Sequence, residues 1–385
     1  MNRQFKLRQV VLIGFLVICI SLTGALTSCD SQQTNTDLAN GVKLERLWTN
    51  YFDTVSTITL YAPSKPIGES WFKQIDQWLG EYHEAFNTFQ DATRSVNLKS
   101  INDQAGKGPI QVDESIFDLL RTAKTYGEQT HGTMNPMIGA LTQLWHEATK
   151  QAKDLPSLET LNAVKLPTAT ELNAAKAHIA LDALRLDESH LTVEIRDPNA
   201  RIDVGAIAKG YVAERLTERL KKLGVTSCLI SLGGNVRTIG EKPDGTPWLI
   251  GIQNPAAALA ENDHLYSNTP PTSGDSSLPK RLKTLAVKDL SVVTSGIYQR
   301  YIQIDGKRYH HIINPKTGYP SESVDAVTVI AKDSALADAY ATALFNMSIP
   351  EGKAFLATQK DVEALWVKGD VLEETPGFEA YVTGG

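Results

Sequence analysis

With 385 residues, 42% of them hydrophobic and 21% charged, the chain has ordinary globular proportions and exceeds the size at which a single core usually stops growing, so one elaborated domain or two closely joined ones is expected. A formal net charge of -6, with no long basic run beyond the N-terminus, argues against a nucleic-acid partner, because neutralising phosphates needs clustered Lys and Arg. The 27 Gly and 17 Pro supply turns without making the chain low-complexity, and no internal repeat is evident.

At the N-terminus, Arg3, Lys6 and Arg8 precede an apolar run from Val10 to Leu22, which resembles a secretory signal rather than a full membrane span. Leu26-Thr27-Ser28-Cys29 follows and resembles a bacterial lipobox, where cleavage precedes the cysteine and its thiol carries a diacylglycerol. An uncleaved anchor helix is the alternative. On the lipobox reading, residues 1–28 are a lipoprotein signal peptide, Cys29 is the lipidated first mature residue, and 29–42 is a flexible polar tether. Asp30 resembles an inner-membrane retention signal, so the chain is expected on the periplasmic face of the bacterial inner membrane, held by its lipid. Of three cysteines, Cys19 leaves with the signal and Cys29 is acylated. Only Cys228 remains as a thiol, which excludes an intramolecular disulfide and a thiolate metal site. Cys228 lies in an apolar run and reads as a small core residue.

The globular domain is expected over 43–385. Alternation in Val55 to Tyr61 predicts a first strand, and Phe72, Ile75, Leu79, Tyr82, Phe86 and Phe89 recur at helical spacing. That aromatic stripe reads as core, with Phe89 at the helix end reserved for ligand contact. A helix through Leu119, Ala123 and Tyr126 ends near Gly132. Thr133 to Gly139 then form a turn, Leu141 to Ala148 a short helix, and 149–175 a polar irregular stretch. A strand at Leu191 to Ile195 leads through Arg201 to Val204 into a helix carrying Ala208, Val212, Leu216 and Leu220, with Gly224 at its C-terminal cap. Val225 to Leu232 reads as a buried strand stopped by Gly233-Gly234. Val236 to Ile239 and Trp248 to Ile252 are expected to form a hairpin around Lys242 to Gly245. The segment 256–280 lacks periodicity and reads as a mobile surface insertion. Further strands are expected at Thr284 to Val287, Ser291 to Thr294, Tyr298 to Ile304, Arg308 to Ile312 and Ala326 to Ala331, before a helix starting near Ser334. Strands outnumber crossover helices, which favours an α+β fold of largely antiparallel sheets with packed helices.

Three motifs fall within about fifty residues: Thr294-Ser295-Gly296, His311 to Gly318, and Asp338-x-x-x-Thr342. Asp338 and Thr342 share one helix face and could give two oxygen ligands to a hard cation, best Mg2+, although such a pair is more often a solvated face or a cap. In Asp203 to Gly210, small residues admit close backbone approach, a helix start offers free N–H groups, and Lys209 can meet a phosphate. The pattern matches neither the Walker A spacing nor G-x-G-x-x-G, and an ordinary strand-to-helix turn is the plainer reading. A sharp turn after His311 places its imidazole at a sheet edge, where it could serve as a proton shuttle, although a lone histidine is more often structural. His310 points to the opposite face if the segment is extended, so only one of the two can face a shared site.

Taken in order, Asn102, Gly132 to Pro136, Asp203 to Tyr211, Gly233-Gly234, Trp248 to Pro255, Thr294 to Tyr298, His311 to Pro320 and Ala337 to Ala343 resemble the ApbE family, the FAD:protein FMN transferases, with an architecture related to the T-fold. The resemblance implies that the Asp338 and Thr342 side chains and the Ala206 carbonyl hold Mg2+ against the FAD diphosphate. Asp203, Lys209 and Ile313 would line the FAD cleft, and Phe52, Phe89, Thr133, Met134 and Asn135 match positions that contact flavin or adenine. A Thr or Ser hydroxyl of a target would displace AMP, with His311 as base beside Asp338. Acceptors would be subunits of membrane redox complexes carrying a Ser/Thr-Gly-Ala-Thr-like motif. The sequence departs from the family pattern at Asn135 and Asn314, where Asp is frequent, at Phe52-Asp53-Thr54, and at Ala341. The rival readings are an FAD pyrophosphatase giving FMN and AMP, and a non-catalytic flavin-binding lipoprotein.

Overall fold

The computed structural model describes residues 41–93, 96–155, 161, 163–266 and 278–383. The signal, Cys29 and most of the tether lie outside the described residues, as does 267–277 of the expected insertion. Strands β1 (Val42–Trp48) and β2 (Ser56–Ala62) open the fold, followed by α1 (Lys65–Ala85), α2 (Leu98–Asp103), β3 (Ile110–Gln111), α3 (Glu114–Gln129), α4 (Gly139–Asp154) and α5 (Ala169–Lys176). Then come β4 (Leu184–Asp187), β5 (Thr192–Ile195), α6 (Ala208–Lys222), β6 (Cys228–Leu232), β7 (Asn235–Ile239), β8 (Trp248–Gln253) and α7 (Pro255–Tyr266). The last third holds β9 (Arg281–Val287), β10 (Ser291–Gly296), β11 (Tyr301–Ile304), β12 (Lys307–His310), β13 (Ala326–Ala331), α8 (Ser334–Phe345), α9 (Ile349–Leu356), β14 (Glu363–Lys368), β15 (Val371–Glu374) and β16 (Val382–Thr383).

Eight strands make one sheet in the order β1-β2-β6-β7-β10-β13-β14-β15, and each neighbouring pair is antiparallel. One face packs against helices: Ile58, Leu60, Ile230, Val293, Val327 and Val329 meet Phe72, Leu79, Leu216, Tyr340 and Leu344 in the main core. On the other face, Val292, Ile330 and Leu365 pack against Trp248, Ile250, Ile252 and Leu285 of the small sheet β16-β9-β8. With both faces covered, β13 is buried at every position, which is why Ala326 to Ala331 is a near-continuous apolar run, interrupted only by Thr328, whose hydroxyl bonds to Thr294, rather than an alternating one. The expected α+β, largely antiparallel fold is the one observed.

Several local expectations change. The hairpin around Lys242 to Gly245 does not form, because both edges of β7 are already taken by β6 and β10 and β8 pairs with β9. The turn itself is present, with Lys242 N–H donating to Thr246 O. The true hairpin joins β6 to β7 through Gly233 and Gly234, whose φ values of 58° and 91° are those a two-residue turn between twisted strands demands. Polar 149–175 is not wholly irregular: α4 continues to Asp154, and α5 is started by a Thr168 and Glu171 capping box. Strands β1 and β4 were not anticipated. The first part of the 256–280 segment is helix α7. Gly224 does close α6, where Gly224 N–H bonds to Lys221 O and Val225 N–H to Leu220 O, the two bonds of a glycine C-cap.

Candidate functional site

Helices α6 and α8 approach so closely that a β-carbon on Gly210 would lie 2.2 Å from Ser334 O and 2.5 Å from Asp338 Cβ. Only glycine permits this contact. It brings Gly210 N–H to 2.8 Å from Asp338 Oδ2, uniting the two stretches that the sequence places about 130 residues apart. Asp338 is 3% exposed. Burial raises its carboxyl pKa, opposed by the charge of Lys209, the Gly210 N–H and the Asn235 amide. Asn235, itself buried, faces the carboxylate from the start of β7, but its Nδ2 completes no hydrogen bond. Thr342 lies one turn further along α8 and is half-buried, as is Ala206 in the turn entering α6. Carboxylate, hydroxyl and backbone carbonyl are all hard oxygen donors, the chemistry a magnesium ion takes, and a buried carboxylate short of partners fits a cation. Among the described residues there is no group of three His, Cys, Asp or Glu able to hold a metal ion.

A buried ion pair fixes the start of α8. Glu214 of α6 pairs with Arg237 of β7 at 3.0 Å, their side chains 12% and 6% exposed, and Glu214 Oε2 accepts from Ser334 N at 2.9 Å. Asp333 caps the same helix through Leu336 N at 2.7 Å. At the far end of α8, Asn346 Nδ2 donates to Thr133 O at 3.0 Å and Ile313 O at 3.3 Å. One asparagine thus fastens both expected ligand-contacting turns to the helix bearing Asp338.

The two histidines separate as alternation requires. His310, at the end of β12, is buried, with Nε2 2.8 Å from Ser321 O and Nδ1 accepting from Ile312 N at 3.2 Å. Its ring is a structural clip, and burial lowers its pKa to about 4. His311 is exposed. Desolvation by the surrounding walls, then the charges of Arg300, His310 and Lys209, lower its pKa. Solvent at the open side limits the size of that shift and not its direction, so the imidazole is neutral at pH 7. The charge of Lys209 acts on both Asp338 and His311, and its ammonium donates to Gly205 O at 3.5 Å.

The remaining expected contacts divide into two kinds. Asp203 is half-buried, Oδ1 accepting from Gly205 N at 2.8 Å and Oδ2 from Thr142 Oγ1 at 2.6 Å. Phe89 lies beyond the end of α1, 55% exposed, and stacks on His146 of α4 with centroids 4.3 Å apart. Desolvation, then Lys153, lower the His146 pKa, against the pull of Asp203, Glu147 and Asp53. Phe52 is half-buried, with its N–H 3.2 Å from His83 Nδ1. By contrast Met134 and Ile313 are 1% and 4% exposed, packed in core clusters, leaving only their backbone to face a ligand. Thr133 Oγ1 bonds to Thr130 O. Asn135 donates to Ile179 O and accepts from Met137 N, so its amide shapes the turn, a task for which Asn serves. Two cavities, of about 400 and 490 Å³, lie elsewhere, the first beside His178 and Arg201 and the second beside Asp76 and Arg219. Sequence reasoning passed over Asn235, Glu214, His146, Arg300 and Asn346. Only Asn235, directly after Gly233-Gly234, and Asn346, at a helix end, carried a local signal.

A family model described as the ApbE family matches residues 52–366. A Klebsiella pneumoniae protein named FAD:protein FMN transferase is 33% identical over 282 residues, covering 72% of this chain and 78% of that protein. One of the same name from Treponema pallidum is 34% identical over 274 residues, 71% of each. The crystal structure of the ApbE protein from Thermotoga maritima superposes with a TM-score of 0.72 at 26% identity, covering 89% of this chain and 100% of that one. Since the matched region contains the main sheet from β2 to β13, both helices that meet at Asp338, and the His311 turn, the chain belongs to the ApbE family.

Proposed function

We propose that this chain transfers the FMN moiety of FAD to a Thr or Ser hydroxyl of a target protein, in a Mg2+-dependent reaction that releases AMP and leaves a phosphodiester-linked flavin. The observation that carries the reading is the meeting of Asp338 with the α6 N-terminus at 2.8 Å, beside Lys209. Asp338, Thr342 and the Ala206 carbonyl would hold the ion, which when bound withdraws charge from the diphosphate and neutralises the departing phosphate. Lys209 receives the remaining phosphate charge, the Ala208 and Gly210 N–H groups of α6 being bonded already to Val204 O and Asp338 Oδ2. His311 takes the proton of the attacking hydroxyl as its oxygen bonds to the FMN-side phosphorus. The bond to the bridging oxygen breaks, and AMP departs with that oxygen. General-base help of this kind is worth about 10² to 10⁴ in rate.

With one carboxylate in the donor set, cation affinity leans on the phosphates of FAD. Titrating Mg2+ calorimetrically should show tight binding only with FAD present; strong binding to the protein alone would contradict this. Lipidation of Cys29 would hold the enzyme at the periplasmic face of the inner membrane, within reach of redox-complex subunits bearing the Ser/Thr-Gly-Ala-Thr-like motif. The test incubates the full-length protein in detergent with FAD, Mg2+ and an acceptor carrying that motif, then weighs the acceptor by mass spectrometry. An FMN adduct with equimolar AMP supports transfer. AMP without adduct identifies a pyrophosphatase, and bound FAD with neither product identifies a carrier.

A further inference from the structure

We propose that Arg300 is a positioning residue that joins the base to the flavin-contacting loop, its guanidinium holding the Phe52-Asp53 turn while its backbone carbonyl holds the His311 imidazole. The inference rests on the transferase reading of the site. Arg300 Nη2 donates to Asp53 O at 2.9 Å and Phe52 O at 3.3 Å. Phe52 and Asp53 have φ values of 55° and 50°, two consecutive non-glycine residues in the left-handed region. Such a pair persists only where its surroundings over-determine it. Arg300 supplies that restraint on one side and His83 on the other, through its bond to Phe52 N–H and an edge-on ring contact at 5.6 Å.

The carbonyl of the same arginine accepts from His311 N–H at 3.2 Å and lies 3.2 Å from His311 Nδ1. A carbonyl can only accept, so Nδ1 must carry the proton. That fixes the tautomer and leaves the Nε2 lone pair as the proton acceptor, the arrangement a general base needs. The groups facing the ring are Arg300, the neutral His310 and Lys209. Removing the Arg300 charge therefore eases protonation of His311. Because a single residue has hold of both, a shift of the Phe52-Asp53 turn displaces the base, so flavin seating and proton abstraction are mechanically linked.

The experiment combines two readouts on the full-length protein. Long-range 15N–1H correlation of 15N-histidine-labelled protein, assigned with His311→Asn, reports the tautomer and its titration without turnover. Wild type should show the Nδ1–H form at pH 7. Kinetics of Arg300→Gln should show KM for FAD raised and kcat lowered, each roughly tenfold, with the acid limb of kcat moved up by about half a pH unit or more. Arg300→Lys should restore the acid limb but not KM, since an ammonium on a shorter, more flexible stem keeps the charge without the planar Nη2 that reaches both carbonyls. An Nε2–H tautomer in the wild type overturns the proposal, as does an Arg300→Gln enzyme whose KM and acid limb both stay in place. Absence of flavin transfer by the wild type would defeat the transferase reading separately, while the NMR tautomer and its response to Arg300→Gln would still decide the brace.

Discussion

Replacing Asp338 by Asn should move stability and activity in opposite directions. Asn keeps the shape of the side chain and an oxygen for the Gly210 N–H that now sits 2.8 Å from Oδ2, but removes a negative charge from a residue 3% exposed. Burial raises the Asp338 pKa in the folded protein. Between the ordinary carboxyl pKa of about 4 and the raised value, the folded state therefore holds a proton that the unfolded state has lost. Stability then falls as pH rises through that window and stays low above it. Each unit of upward shift costs about 1.4 kcal/mol. In EDTA at pH 7, Asp338→Asn should therefore be the more stable protein, by about 2 °C or more in Tm, and its urea midpoint should lose the wild type's decline with pH. Adding Mg2+ with FAD should reverse the ranking, because a ligand that binds only the folded state stabilises in proportion to its saturation. Loss of several kcal/mol of charge stabilisation in the transition state corresponds to a fall in turnover of about 10³. The assay is urea unfolding from pH 4 to 8 in EDTA, repeated with Mg2+ and FAD, alongside AMP release. A variant less stable than wild type in EDTA, or one that keeps Mg2+-dependent stabilisation, would show that Asp338 is merely the acceptor for Gly210 and that the cation is held elsewhere.

Gly210→Ala places its new carbon 2.2 Å from Ser334 O, a backbone atom that cannot step aside, so α6 and α8 must part. Urea unfolding should show a loss of about 1–3 kcal/mol, and calorimetry should show Mg2+-dependent FAD binding lost in the fraction that still folds. Glu214→Ala leaves the buried Arg237 guanidinium unpaired, and denaturation should record a loss of about 3–5 kcal/mol. Phe89→Ala removes a ring 55% exposed, so stability should change by about 0.5 kcal/mol or less while KM for FAD rises. Cys228 is fully buried and burial pushes its thiol pKa up. It should resist iodoacetamide in the native protein and react on unfolding, as mass spectrometry will show.

What the sequence revealed of this fold followed from patterns that act locally. Ala326 to Ala331 and the Gly224 cap were legible because an apolar run and a helix-ending glycine impose themselves without knowledge of distant partners. The pairing of β7 was not. Lys242-Pro243-Asp244-Gly245 is a genuine turn, yet which strands a turn joins is settled by competition for edges, and β10, about fifty residues on, takes the edge that β8 would need. The site divides the same way. Asp338, Thr342 and His311 were visible as residue types at telling spacings. Glu214, His146 and Arg300 were not, because an ion pair buried under a helix start, a stacked ring on another element and a guanidinium spanning 247 positions exist only once the chain has folded.

In the proposed reaction the charge of Lys209 serves two groups of opposite need, His311 as base and Asp338 as cation ligand. A general base must be unprotonated to work, and a cation ligand must be ionised. Burial favours the first state for His311 and opposes the second for Asp338. The Lys209 ammonium acts the same way on both: it repels a proton from the imidazole and stabilises the carboxylate against its burial. One positive charge thus pushes both groups toward the protonation states that the proposed transfer requires. It can do so because the Gly210 contact brings the start of α6 against α8. The glycine that looks like a packing detail is therefore the condition for the electrostatics.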